Sequence, residues 1–151
     1  MPIMDSTLVF AEALDISDLT AYAAVNFTNV VDLGAIVDHK GSALSTRANV
    51  TGAMALNIVV EDTALAGNGS TTVTFSLYDH STITPWTGGR KLMEFTITVS
   101  ATSHPDGTQI CSLPLPAMAL SRYLGVTSLV AAGDLTAGAV TAWLGPVTQQ
   151  S

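Results

Sequence analysis

The sequence predicts an all-β fold, a single-domain β-sandwich of the jelly-roll type with about eight strands. Three observations predict it. Several short runs alternate between apolar and polar side chains, Gly, Pro, Asn and Asp residues separate these runs, and no long segment has helical periodicity. The chain has 151 residues, which is enough for one domain with a substantial core. We assign residues 1–151 to this domain, including a short N-terminal arm.

The N-terminal half contains three predicted strands, at residues 6–11, 29–34 and 52–61. The third strand alternates most clearly, because its Met, Leu, Ile and Val residues occupy every second position. Residues 12–25 are interpreted as a loop with at most one helical turn, since Asp and Ser interrupt their loosely spaced apolar residues. Residues 36–49 are interpreted as an exposed loop.

The middle of the chain contains three further predicted strands, at residues 71–79, 92–100 and 109–113. The first has Val, Phe and Leu facing one way and Thr, Ser and Tyr facing the other. The Ala-Gly-Asn-Gly sequence at 66–69 and the His-Pro-Asp-Gly sequence at 104–107 predict turns. Residues 80–89 are interpreted as a loop that contains Pro85 and Trp86.

The C-terminal stretch, residues 113–147, is interpreted as a long hairpin. Its two β-rich runs, 122–130 and 139–144, are separated by Ala-Ala-Gly-Asp at 131–134. Each run is apolar on one face and carries Thr, Ser or an aromatic residue on the other. This pattern predicts a sheet that is buried on one side and half exposed on the other.

The charge composition limits the partners of the protein. Twelve acidic residues against five basic ones give a formal charge of −7, which argues against a nucleic-acid-binding surface. Only 11% of the residues are charged, against about 25% in an ordinary domain, so we expect partners to cover part of the surface. No apolar run approaches the ~18 residues of a membrane helix, and the N-terminus predicts no signal peptide. We therefore expect a soluble protein made in a cytoplasm.

The residues with catalytic or metal-binding chemistry do not form a recognisable site. His39, His80 and His104 each lie near an aspartate, but they are widely spaced and all lie in predicted loops. The single cysteine, Cys111, falls within a predicted strand, which favours a buried structural thiol over a nucleophile. We therefore predict no catalytic residues, no metal site and no cofactor.

Five segments together resemble a known family. They are residues 1–10, 29–34, 113–116 (Leu-Pro-Leu-Pro), 122–124 (Arg-Tyr-Leu) and 136–144. Their order and spacing resemble those of the Bbp16-type capsid cement, or decoration, proteins of short-tailed bacteriophages. The resemblance covers both ends of the chain and touches the middle only weakly; residues 35–48 and the loop around Trp86 are not matched.

The resemblance implies a non-enzymatic jelly-roll protein on the outer surface of the virion capsid. It implies binding across junctions of major capsid proteins of the HK97-like fold, stabilisation of the shell, and assembly as a homodimer or trimer. Nucleic acid and membrane are not among the implied partners. The N-terminal arm and the loop at residues 82–90 are the expected contacts, and the candidate interface residues are Ile3, Leu8, Phe10, Trp86, Arg90, Tyr123 and Trp143.

A carbohydrate-binding or lectin-like jelly roll is the alternative from another functional class. In that alternative, Trp86, Tyr78 or Tyr123 would stack against sugar rings. Trp86 could equally cover the edge of the core, and Trp143 is either a residue of a second core face or an interface residue. An enzyme that depends on His80 or His104 is a third and weaker possibility.

Overall fold

The computed structural model describes residues 8–17, 24–34, 54–100, 104–116 and 120–146. Eleven β-strands lie in these ranges. In chain order they are β1 (Val9–Asp15), β2 (Ala24–Asn26), β3 (Val31–Asp32), β4 (Ala55–Val60), β5 (Ala66–Gly67), β6 (Thr71–His80), β7 (Arg90–Val99), β8 (Gln109–Pro114), β9 (Tyr123–Ala131), β10 (Leu135–Ala137) and β11 (Ala139–Gly145).

The strands form two antiparallel sheets that pack together. One has the order β1-β11-β4-β8; the other has the order β2-β9-β6-β7, with β3 also paired to β9. β5 and β10 form a separate two-stranded ladder. If β2 and β3 are taken as one interrupted strand, the eight main strands follow the orders 1-8-3-6 and 2-7-4-5. This is the double Greek-key arrangement of a jelly roll, so the predicted fold is confirmed.

The core lies between the two sheets. The alternating residues of β6 behave as the sequence predicts, because Val73, Phe75 and Leu77 are fully buried. The Phe75 ring stacks on Phe95, with centroids 5.4 Å apart, and meets Phe27 edge-on at 6.3 Å. From the facing sheet, β4 and β11 bury the side chains Leu56, Ile58, Val60, Val140, Ala142 and Leu144.

The predicted C-terminal hairpin is wrong. β9 pairs with β6, β2 and β3, whereas β11 pairs with β1 and β4 in the other sheet. Between them the chain forms β10 and crosses from sheet to sheet, with a positive φ of 60° at Ala132 and of 148° at Gly138. Alternation shows that each run is a strand, but it does not identify the partner strand. β11 is also buried on both faces rather than half exposed.

The segment at residues 12–25, interpreted as a loop, contains strand at both ends. β1 continues to Asp15, and β2 begins at Ala24. The pairing of β1 with β11 shifts register between Ala11 and Leu14, around Ala13 with a φ of 44°. This bulge breaks the two-residue period, which is why the strand predicted at residues 6–11 was not extended to Asp15. In the described ranges, no helix is long and apolar enough to cross a membrane.

Candidate functional site

The loop between β6 and β7, residues 81–89, folds back against the outer face of the five-stranded sheet. Its Pro85 and Trp86 lie directly on Gly125 of β9: a Cβ at that position would be 2.5 Å from Pro85 Cγ and 2.7 Å from Trp86 Cε3. Only glycine allows so close an approach of a side chain to the strand. Pro85 is buried and Trp86 half-buried, so the loop is fixed to the sheet.

A buried carboxylate anchors the base of this loop. The Asp79 side chain is 0% exposed, while that of Arg90 is 49% exposed. Arg90 donates from Nε to Asp79 Oδ1 at 3.0 Å and from Nη2 to Oδ2 at 2.5 Å, and the Ser121 backbone N–H donates to Oδ2 at 2.8 Å. The hydrogen bonds to Asp79 raise the pKa of the Arg90 guanidinium. One side chain thus joins the end of β6, the start of β7 and the segment that leads into β9.

A second arginine joins β3 to the start of β9. Arg122 donates from Nε and Nη2 to the two carboxylate oxygens of Asp32, at 2.8 and 2.9 Å. These hydrogen bonds raise the pKa of Arg122. Its guanidinium carbon also lies 5.0 Å from the centre of the Tyr123 ring, within the range of a cation–π contact. Asp32 additionally accepts a hydrogen bond from the Gly34 N–H at 2.9 Å.

A lysine completes the cluster on β7. Lys91 Nζ lies 2.7 Å from Glu94 Oε2 and 5.8 Å from the centre of the Tyr78 ring. The register of the β6–β7 pairing shifts between Leu77 and Tyr78. This irregularity in β7 allows Lys91 to contact Glu94, three residues along the strand. The hydrogen bond between the two side chains raises the pKa of Lys91 and lowers that of Glu94.

Strand register brings the aromatic residues to the same end of the five-stranded sheet. Tyr78 is opposite Gly125, on which Trp86 lies, and Tyr123 is two residues before Gly125 on the same face. Ile83, three residues before Trp86 in the same loop, is 66% exposed. We call this region the aromatic–cationic end, comprising Tyr78, Ile83, Trp86, Arg90, Lys91, Arg122 and Tyr123.

The opposite end of the sandwich is acidic. Asp15 ends β1, Glu61 and Asp62 follow β4, Asp106 lies in the turn before β8, and Asp134 lies between β9 and β10. The chain passes between the two sheets here, and Asp106 Oδ1 accepts a hydrogen bond from the Asp62 N–H at 3.0 Å. We call these five residues the acidic end. All three lysine and arginine side chains that the described ranges contain lie at the other end, where each pairs with a carboxylate. That end is therefore close to neutral, whereas this one is acidic.

The seven predicted interface residues divide into two groups. Trp86, Arg90 and Tyr123 come together at the aromatic–cationic end. The others do not: Ile3 lies outside the described residues, and Leu8 is partly buried against the core. Phe10 is fully buried, so its side chain offers no surface to a partner. Its position on β1 directs the side chain to the inner face of the sheet, which forms the core.

Trp143 is buried on the outer face of the four-stranded sheet. It is opposite Asn57 of β4, and its Nε1 lies 3.1 Å from where a Cβ on Gly145 would be. Asn57 is fully buried and satisfied, because it receives a hydrogen bond from Ser112 Oγ at 2.7 Å and donates to the Pro146 carbonyl at 3.2 Å. Of the two interpretations of Trp143, this placement favours a second packed face.

Sequence reasoning missed several residues of the aromatic–cationic end. Lys91 and Ile83 were not singled out, although they lie beside Arg90 and within the expected contact loop, and Arg122 joins them only through the pairing of β9 with β6. The sequence did contain a signal for Asp79. Asp79 continues the alternating series of Val73, Phe75 and Leu77, which predicts a carboxylate at a core position. Buried carboxylates require a partner.

The residues considered for catalysis occupy separate places. His80 Nδ1 accepts from the Thr82 N–H at 2.9 Å, His104 Nε2 lies 3.3 Å from the Thr98 carbonyl, and His39 lies outside the described ranges. Cys111 is buried, its thiol donates to the Leu56 carbonyl at 3.3 Å, and burial raises its pKa to about 11. The part of the chain that the structure describes has no group of three His, Cys, Asp or Glu side chains able to hold a metal ion.

Comparison with known proteins identifies the family. A family model described as Bbp16 matches residues 12–144, from within β1 to within β11. No curated protein matches the sequence. The match includes part or all of every strand of both sheets, and together with the all-β fold it fits a β-sandwich structural protein that is related to phage. The chain belongs to the Bbp16 family.

Proposed function

We propose that this protein is a capsid cement, or decoration, protein of a short-tailed bacteriophage. It binds the outside of the icosahedral head across junctions of the major capsid protein and stabilises the shell. The observation that carries the proposal is the Bbp16 match over residues 12–144, which spans the jelly roll rather than a fragment of it. The proposed role is structural, without enzymatic activity, at the outer surface of the virion after synthesis in the host cytoplasm.

In the proposed mechanism, many copies of the protein make the same contact with the shell, and together these contacts stabilise it. A specific protein interface buries about 1,600 Å² in total, which one face or end of a small jelly roll can supply. An oligomer that spans several capsid subunits gains further affinity, because its second contact forms at a high effective concentration. The proposed partners are therefore the major capsid protein of the HK97-like fold and a second copy of this chain, as a homodimer or trimer. Nucleic acid and membrane are not proposed partners.

Binding to heads assembled without this protein tests the proposal. Purified protein is mixed with expanded heads and sedimented, and we expect saturable co-sedimentation and a higher temperature of head disruption. Failure to bind such heads at micromolar protein would contradict the proposal. Analytical sedimentation of the protein tests the oligomer: we expect a dimer or trimer, whereas a monomer that does not associate on heads would count against it.

Carbohydrate binding remains a second candidate because of one observation. Tyr78, Trp86 and Tyr123 lie around Gly125 at one end of the sheet, and partly exposed aromatic rings are the usual platforms for sugar stacking. A glycan array discriminates the two candidates. A cement protein without lectin activity gives no specific signal, whereas a lectin gives signals that Trp86→Ala removes.

A further inference from the structure

We propose that the aromatic–cationic end is the surface that meets the shell, and that the acidic end points away from it. The occupant is a protein surface on the capsid exterior that presents carboxylates around an apolar contact. The inference rests on the proposed cement function and deepens it by assigning the binding surface and the chemistry of the partner. It follows from an exposed apolar side chain, a fixed loop and the distribution of charge.

Ile83 is the apolar anchor of this surface. At 66% exposed it is the most exposed large hydrophobic side chain among the described residues; Leu113 and Leu129 are 39% and 38% exposed. It is carried on a loop that Trp86 fixes to Gly125 and whose base the Asp79–Arg90 pair anchors. A fixed loop loses little conformational freedom on binding, so contact with Ile83 contributes more fully to affinity.

Trp86 and Tyr123 extend the contact beside this anchor. Both rings are partly buried, and each leaves part of its surface open. Aromatic residues and arginine are enriched where binding energy concentrates in protein interfaces. The aromatic–cationic end holds both kinds of residue in a small area.

The charges define the chemistry of the partner. Arg90, Lys91 and Arg122 have side chains that are 49%, 45% and 54% exposed. Each pairs with a carboxylate of this chain, so the three ion pairs leave this end close to neutral, with their cationic groups partly exposed. Carboxylates on the capsid surface would not be repelled at this end, as they would be at the acidic end, and would approach partly exposed guanidinium and ammonium groups.

The acidic end is unsuited to contact with the shell, which supports the same orientation. Asp15, Glu61, Asp62, Asp106 and Asp134 would repel a capsid surface that is itself acidic. With a formal charge of −7, neighbouring copies also repel one another, and outward-pointing acidic ends place these charges in solvent, where salt screens them. The uneven distribution of charge therefore favours one of the two ends for contact.

A pair of matched variants tests the surface. Ile83→Asp places a carboxylate at the anchor. Leu129→Asp places the same group on the outer face of the same sheet, four residues along β9 from Gly125, or about 13 Å away. Both positions are exposed, and circular dichroism and thermal unfolding verify that both variants fold. Affinity for heads assembled without the protein is then measured by co-sedimentation at low and high salt.

We expect Ile83→Asp to weaken the affinity for heads by about tenfold or more, and Leu129→Asp to change that affinity by less than about twofold. We also expect high salt to weaken binding of the wild type. Equal binding of the wild type and Ile83→Asp overturns the inference while the cement function stands. Equal weakening by both variants overturns it also, because the contact would then not be confined to this end. If the wild type itself fails to bind, the proposed function fails. A glycan signal that Ile83→Asp removes, with head binding intact, assigns the surface to sugar and overturns the inference.

Discussion

Asp79 and Arg90 form a two-point ion pair in which the carboxylate is fully buried and the guanidinium is half exposed. Asp79 ends the inward-facing series of β6, and Arg90 begins β7, so the pair closes the base of the 81–89 loop. The Ser121 N–H shares the same carboxylate and connects the loop to the start of β9. Much of the geometry of the aromatic–cationic end therefore depends on one side chain.

Replacing Asp79 by Asn is expected to destabilise the protein by about 2–3 kcal/mol. The amide keeps the shape of the carboxylate but removes its charge. It also puts an NH₂ group, a hydrogen-bond donor, where one of the two accepting oxygens faces N–H donors. Chemical unfolding measures the change in free energy. Asp32→Asn is the matched control: its pair with Arg122 is far more exposed, so it should cost clearly less. Equal losses in the two variants would show that burial of Asp79 does not matter.

Gly125→Ala should displace the loop. A methyl group there would overlap Pro85 and the Trp86 ring, so both must move away from the strand. In a Trp143→Phe background, the fluorescence of Trp86 should shift to longer wavelength as the indole becomes more exposed to water. Thr127→Ala, on the same face of β9, should leave the emission unchanged. An unshifted spectrum for Gly125→Ala would contradict the close packing of the loop.

Ser128 and Thr141 should respond to alanine with opposite signs. The buried Ser128 hydroxyl makes no hydrogen bond among the described residues, so its removal should be neutral or stabilise the protein by up to about 1 kcal/mol. Thr141 Oγ1 accepts from the Ala13 N–H at 2.8 Å and donates to Glu61, so its removal should cost about 1–2 kcal/mol. Urea unfolding of both variants measures these changes, and destabilisation by Ser128→Ala would contradict the first assignment.

Cys111 should make stability fall at high pH. Burial raises the pKa of the folded thiol to about 11 from the ordinary value of 9.0, so the unfolded chain loses this proton first. The contribution of the thiol is complete below about pH 9 and is lost progressively as pH rises towards 11, by roughly 2 kcal/mol. Other groups titrate in this range, so the measurement is the difference between the wild type and Cys111→Ala. A difference that is constant from pH 8 to pH 11 would exclude the shift.

The sequence predicted the fold class because apolar and polar residues alternate along β4, β6 and β7, and such alternation is typical of strands with one buried face. It did not predict which strands pair: β9 and β11 are neighbours in the chain and in separate sheets, and partner choice depends on contacts between distant residues. The bulge at Ala13 hid the second half of β1, residues 12–15, because it breaks the two-residue period.

The candidate site was predicted only in part for the same physical reasons. Trp86 and Arg90 lie in or beside one loop, so proximity in sequence placed them together. Tyr123 joins them only through the pairing of β9 with β6. Phe10 lies on a predicted strand, but so short a strand does not show in sequence which of its faces meets the core, and the structure buries this side chain.

A side-chain-resolution reconstruction of the purified virion would show whether the protein is a capsid cement protein. We predict density for the jelly roll on the outside of the shell, over junctions between major capsid proteins, with the 81–89 loop against the capsid surface. A shell whose exterior lacks this chain would contradict the cement function.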